Sequence, residues 1–269
     1  LFPYTTLFRS FRNLSPTVRN LIFINIAIYV LGGFLPQDLL SLHYFQAKDF
    51  HIYQVVSYMF VHASFMHLLG NMFGLYMFGS LLERMWGAQR FLFFYFFCGI
   101  GAGLLYMGIQ HFIDFADFRR ATEIVLSDPS SMHLYDYAQH YQVISLPDGN
   151  VNIEWARENY AEYVNRSQLA GASGAIFGLV GAFLIIQRKL GGDTTQLFIL
   201  VGINLVIGFL PGMSVAWQAH LGGLIAGLLL GLIYVQTRNA SQRRLQNLLV
   251  LGIAMLSLVL AFAHAPVFV

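Results

Sequence analysis

The 269-residue chain is 57% hydrophobic and 10% charged, with a formal net charge of +2 and a mean hydropathy of +0.61. Soluble globular domains carry roughly 25% charged residues, so these figures exclude that class and point to a chain that lives in a bilayer. The pI of about 8.7 reflects cations gathered between apolar blocks and gives no reason to expect nucleic-acid binding.

In chain order, the first ten residues, LFPYTTLFRS, read like an in-frame translation of a sequencing-adapter oligonucleotide. Residues 1–10 are therefore set aside from fold reasoning, and 11–269 is expected to form a single membrane domain. A bilayer core takes about 20 apolar residues per helix, with a range of roughly 17–25. Seven blocks qualify as candidates: 18–35, 65–82, 91–110, 171–187, 196–209, 219–235 and 245–263. They predict an all-α polytopic membrane protein, with 18–235 as a six-helix core and 245–263 as an extra C-terminal helix. The fifth block is short, which requires either an unusual tilt or an extension into the Gly-Phe-Leu-Pro-Gly turn at 208–212.

Between the first two blocks, residues 36–64 are amphipathic and aromatic, which suits the headgroup region and predicts a folded, partly helical interfacial loop. Residues 111–168 form the long water-exposed segment. It holds nine of the thirteen acidic residues, the turn signals at 128–130 and 147–150, and a weak glycosylation sequon at Asn165. Cys98 is the single cysteine, excludes an internal disulfide, and reads as a small apolar filler in an aromatic run.

With the N-terminus placed in the cytoplasm, ten of the fifteen Lys and Arg residues fall on the inner side and five on the outer. That bias sets the expected orientation. Short loops and the absence of targeting signals add the expectation of a bacterial inner membrane.

Polar groups at membrane depth are costly and are functional candidates by default. The second block holds His67 and Asn71, preceded by His62; the fourth holds Ser173; the sixth holds His220. His67 and Asn71 are four apart and share one helix face. In the assumed topology all of these residues fall toward the same, external leaflet. Small residues at every fourth position let membrane helices approach closely. Gly174 and Gly178 in the fourth block match Gly223, Gly227 and Gly231 in the sixth. The two helices are thus expected to touch, bringing Ser173 to His220 across 47 residues of sequence.

A Ser–His pair supports acyl chemistry, with the imidazole taking the hydroxyl proton and returning it to the leaving amine. His67, Asn71 and backbone N–H groups near Ser173 are candidates for stabilising the oxyanion. No Asp or Glu lies near the outer end of any block, since Glu83 and Asp193 sit on the inner side; a serine hydrolase here would run on a dyad. The bland alternative makes each residue singly a packing serine or a helix-bridging histidine. A metal or haem site on His62, His67 and His220 would lack carboxylate or cysteine partners, so no metal and no cofactor are expected. A transporter predicts paired midplane charges or broken helices, which the blocks do not contain.

Taken together, these residues resemble the rhomboid family of intramembrane serine proteases. The likeness rests on Gly171-Ala172-Ser173-Gly174, on His62, His67 and Asn71, on Ala219-His220 followed by Gly223 and Gly227, and on Glu83, Trp86-Gly87 and Arg90-Phe91. It covers roughly 18–235. The resemblance implies Ser173 as nucleophile, His220 as general base and His67 with Asn71 on the oxyanion side. His62, Gly171, Gly174 and Phe177 would support the site. It implies transmembrane protein substrates, cut in or just outside the membrane after local unwinding, because an intact helix hides its carbonyl carbons. An inactive rhomboid-like protein that binds transmembrane clients is the competing expectation. Three features depart from the pattern: Phe177 stands where well-known bacterial members have Tyr, Tyr53-Gln54 replaces a loop Trp-Arg pair, and the 111–168 loop is longer than the resemblance leads one to expect, its role a substrate-gating lid or a simple extracellular cap.

Overall fold

The structure is a computed structural model that describes residues 14–32, 34, 37–45, 47–110, 167–208, 215–237 and 240–262, with isolated positions between 112 and 166. Residues 1–10, most of the 111–168 segment, the Asn165 sequon and the end of the 208–212 turn lie outside the described residues. Each apolar block carries a helix: α1 (Pro16–Leu31), α2 (Phe65–Trp86), α3 (Ala88–Ile109), α4 (Ser173–Lys189), α5 (Thr195–Ile207), α6 (Trp217–Gln236) and α7 (Arg243–Phe262). The chain is an all-α polytopic membrane protein. Among the described residues, α2, α3 and α6 are long and apolar enough to cross a bilayer, while α1, α5 and Arg244–Ile253 are shorter apolar helices. Phe23, Val30, Phe198, Ile203 and Leu248 stand exposed on outer faces, as lipid contact requires.

The centre of the bundle is α4. Its residues from Gly174 to Gly181 are buried all round, the pattern of a helix enclosed by others. Its closest neighbour is α6, and glycine explains the approach. A β-carbon added to Gly223 would collide with the Gly174 carbonyl, and one added to Gly227 with the Gly178 carbonyl. The two backbones are therefore in direct contact along the register expected from the four-residue spacing. Beside this contact, Gly174 and Gly178 also abut Ala102 and Cys98 of α3, so Cys98 fills a tight crossing.

Helix α5 ends at Ile207, and Gly208 packs directly on the Trp217 side chain. Its 13 residues span roughly 20 Å at 1.5 Å per residue, less than the bilayer core of about 30 Å. The fifth helix is short as expected.

Irregular segments tie the bundle together. Helix α1 begins with Pro16 in its first turn, a position where the missing N–H costs nothing. Its N-terminus is capped by a residue 66 positions away. The Glu83 carboxylate accepts from the Thr17 N–H at 3.1 Å and the Val18 N–H at 3.0 Å. The Ser15 hydroxyl also donates to Glu83. An anion there also complements the helix dipole. Helix α2 widens into a π-helical turn over Leu75–Gly79 and ends at Gly87, whose φ of +81° reverses the chain into α3.

The interfacial loop is folded and partly helical, with turns at Gln37–Leu40, Gln54–Ser57 and Tyr58–Phe60. It also contributes β1 (Leu42–His43), which pairs antiparallel with β2 (Gln168–Leu169) through Leu42↔Leu169 and His43↔Gln168. That pairing fixes the loop to the segment just before Ser173. Gln54 organises the loop. It is fully buried; its Oε1 accepts from His51 N at 3.1 Å and, more weakly, from His43 N at 3.4 Å. Its Nε2 donates to Asp49 O at 2.9 Å and Leu39 O at 3.3 Å. One amide thus anchors the loop where Tyr53-Gln54 stands in place of a Trp-Arg pair. Replacing Gln54 with Leu orphans these backbone groups at about 1–3 kcal/mol for each one left dry. With partial rehydration, the expected loss is about 2–4 kcal/mol, measured as a lowered midpoint of thermal unfolding in detergent.

Candidate active site

The starts of α2, α4 and α6 gather at one end of the bundle. Ser173 opens α4, two residues after Gly171, whose φ of +119° only glycine adopts without strain. The Gly171 N–H donates to the Tyr58 carbonyl at 2.9 Å, and the Tyr58 hydroxyl donates to the Gly99 carbonyl at 2.7 Å. Tyr58 thus clamps the turn ahead of Ser173 to α3. Sequence reasoning misses Tyr58, because an aromatic in an aromatic loop carries no distinguishing signal.

His220 lies in the first turn of α6, at a place set by the Gly174–Gly223 contact one turn below. Its Nε2 is 2.9 Å from Ser173 Oγ. In the tautomer protonated at Nδ1, the Nε2 lone pair accepts the serine hydroxyl proton. His220 Nδ1 is buried and has no hydrogen-bond partner among the described residues. No acidic group stands on the imidazole among the described residues. Phe177, one turn beyond Ser173, stacks on the His220 ring with centroids 4.3 Å apart and planes inclined by 9°. The ring stacks here without a tyrosine hydroxyl.

His67 and Asn71 face the same turn. A β-carbon on Gly171 would lie 2.6 Å from His67 Nε2 and 3.6 Å from Asn71 Nδ2. Glycine is therefore required there for space as well as for φ. Asn71 Nδ2 is a buried donor without a partner among the described residues. The Ser64 hydroxyl oxygen, accepting from the His67 N–H at 3.2 Å, caps α2 and sets the start of this face. The His62 ring meets His67 edge-on, with centroids 5.0 Å apart. Burial, and to a lesser degree the neighbouring His67, pushes the His62 imidazole down to about 4, so His62 is neutral near pH 7. The structure thus brings together all the residues expected at the site: Ser173, His220, His67, Asn71, His62, Gly171, Gly174 and Phe177. No cluster of His, Cys, Asp and Glu suited to a metal occurs among the described residues.

The rhomboid domain model matches residues 49–115 and 151–237, more than half of the chain. The chain belongs to the rhomboid family. The matched residues carry Ser173, His220, His67 and Asn71. This rhomboid is 22% identical over 218 residues to the rhomboid protease GlpG of Haemophilus influenzae, covering 78% of this chain and 84% of that protein. It is 26% identical over 203 residues to RHOMBOID-like protein 6, mitochondrial, of Arabidopsis thaliana, covering 72% and 48% respectively. A shorter match, 37% identical over 89 residues, covers 32% of the chain and 30% of Rhomboid-like protein 11, chloroplastic, of the same plant. The rhomboid chain spans about half or less of the length of the Arabidopsis relatives it matches over most of its own sequence.

Proposed function

We propose that this rhomboid is an active intramembrane serine protease that hydrolyses peptide bonds in or beside transmembrane segments of membrane proteins. The observation that carries the reading is the 2.9 Å contact between Ser173 Oγ and His220 Nε2, held in register by helices packed glycine on glycine. Ser173 Oγ attacks the scissile carbonyl carbon as its proton passes to His220 Nε2. The carbonyl oxygen becomes an oxyanion beside Gly171, where Asn71 Nδ2 and His67 are the donors at hand. Collapse of the adduct breaks the C–N bond, and His220 returns the proton to the departing amine. Water then attacks the Ser173 ester by the same exchange in reverse, releasing the carboxylate and restoring the serine.

The unpartnered Asn71 amide supports this assignment. A buried donor costs free energy unless its partner arrives with the reaction, and preorganised donors of this kind are worth about 10²–10³ in rate each. Substrate helices rich in small or helix-breaking residues fit best, because the carbonyl must be freed from its helix before attack. We place the N-terminus in the cytoplasm and the site toward the extracytoplasmic side on the Lys and Arg distribution, and the chain in a bacterial inner membrane on its short loops. Residues 11–269 are read as one membrane domain.

The test is reconstitution of the purified protein in liposomes with a model transmembrane substrate, together with labelling by a fluorophosphonate. Cleavage with label mapped to Ser173 supports the reading. An unlabelled Ser173 in a preparation that binds the substrate but leaves it intact overturns it, in favour of a client-binding rhomboid-like protein. The stacked ring gives a graded prediction. A ring face against an imidazolium is worth about 0.5–2 kcal/mol. Phe177→Leu is therefore expected to lower kcat by about ten-fold with KM little changed, and Phe177→Tyr to keep the wild-type rate, both read in the liposome assay.

A further inference from the structure

Helix α3 supports the segment that leads to Ser173. It is smallest where that segment comes down: a β-carbon added to Gly103 would lie 2.8 Å from Leu42 Cδ2 in β1. The β1–β2 pair therefore rests on α3 at this level, and the next turn of the helix carries Tyr106. Tyr106 is buried. Its hydroxyl oxygen lies 3.3 Å from the Gln168 carbonyl oxygen in β2 and 2.9 Å from Gln110 Nε2. A carbonyl oxygen only accepts, so the single hydroxyl proton points to Gln168. The hydroxyl oxygen is then left as an acceptor, which requires the Gln110 amide to present its NH2 group. The three groups form a chain with one direction, from Gln110 N–H to Tyr106 O–H to the Gln168 carbonyl. Gln110 is also buried and caps the C-terminus of α3, four residues after Tyr106, the spacing at which helical side chains meet.

We propose that Tyr106 is a positioning residue for Ser173, acting through the backbone of residues 168–171. That segment is short and is held to α3 at both ends. At its start the Tyr106 hydroxyl donates to the Gln168 carbonyl. At its end the Gly171 N–H donates to the Tyr58 carbonyl, and Tyr58 is itself bound to Gly99 of α3. The β1–β2 ladder holds one edge of the segment through two residue pairs, so the tyrosine hydroxyl is a separate attachment. A loosened start is felt at Gly171, because that turn is packed against His67 and Asn71 with no room for a β-carbon. Ser173 follows two residues later. The positioning role rests on the protease reading, whereas the attachment stands independently of it.

Tyr106→Phe removes the hydroxyl and keeps the ring, and Tyr95→Phe is its control. Tyr95 lies on the same helix with its hydroxyl buried and without a partner among the described residues, so its loss should leave the rates unchanged. In liposomes Tyr106→Phe is expected to lower kcat about five-fold at unchanged KM, a displacement well short of the 1 Å that costs on the order of 10²-fold. The rate at which a fluorophosphonate labels Ser173 should fall by the same factor, because that reaction involves the serine and its surroundings without a substrate helix. A hydroxyl with a purely structural role lowers the unfolding midpoint and leaves both rates unchanged; that result, or a change confined to KM, overturns the positioning role. Gln110→Met is expected to lower kcat about two-fold alone and to add nothing in the Tyr106→Phe background, since it acts only through the hydroxyl. No loss alone, or an undiminished loss in that background, overturns the chain. Amide hydrogen exchange over residues 168–172 reads the attachment directly. It should quicken in Tyr106→Phe and hold in Tyr95→Phe, and equal protection in both variants and the wild type overturns the attachment. If the wild-type protein neither cleaves substrate nor takes the label, the protease reading fails, while the exchange comparison still decides the attachment.

Discussion

Replacement of Ser173 by alanine is expected to abolish cleavage of a transmembrane substrate in liposomes, lowering kcat by about 10⁴–10⁶-fold. The protein should stay folded, because Ser173 opens α4 without capping it; the hydroxyl is spent on His220 alone among the described contacts. His220→Ala is expected to fall to a similar level, since no other base is hydrogen-bonded to Oγ among the described residues. The double replacement should be no slower than either single one. Groups that act as a unit in one proton transfer are lost together, so additive losses would contradict the dyad. Unchanged cleavage by Ser173→Ala would sink the assignment outright.

The second large effect is expected far from any reacting atom. Gly223→Ala places a methyl group onto the Gly174 carbonyl. The obstacle is backbone on a rigid helix, so the overlap is relieved only if α4 and α6 move apart. Overpacking of this kind typically costs about 1–3 kcal/mol, which should appear as a clear drop in the unfolding midpoint. The kinetic penalty should exceed what the lost stability explains. His220 lies one turn from Gly223 and moves with α6, and a misplacement of about 1 Å between reacting groups costs on the order of 10²-fold. Gly70 on the open side of α2 has nothing within reach of an added β-carbon, so Gly70→Ala is the matched control: it should hold or slightly raise the midpoint through helix propensity and leave the rate unchanged. If Gly223→Ala kept both stability and rate, the close helix contact would not be what holds the dyad.

Much of the site is legible in the order of residues alone. Apolar runs of bilayer length locate the helices, because hydrophobicity and length decide what can span a membrane. Polar groups are so expensive at that depth that Ser173, His67, Asn71 and His220 stand out as single residues. The four-residue glycine rhythm carries the long-range information. A spacing of 174, 178 against 223, 227 gives both the partner helix and its register, and the register brings His220 to Ser173. Phe177 enters only through the family resemblance, as the position one turn after Ser173 where well-known bacterial members have Tyr.

What lies beyond sequence reading is the irregular backbone that holds those helices at their angles. Gln54 reads as a departure in a loop, yet it is the amide on which the loop folds. Glu83 can be placed from sequence only on the inner side, yet it caps the first helix of the bundle. Tyr58 and the β1–β2 pairing hold the turn that presents Ser173. The physical reason is the same in each case. Helical packing repeats along the chain, so its pattern survives in the order of residue types. A hydrogen bond from one side chain to backbone groups of a loop, or of a helix 66 positions away, has no period to betray it. By itself the sequence determined which segments form apolar helices and which two of them bring serine to histidine; the tertiary structure alone decided how the non-helical backbone is satisfied around them.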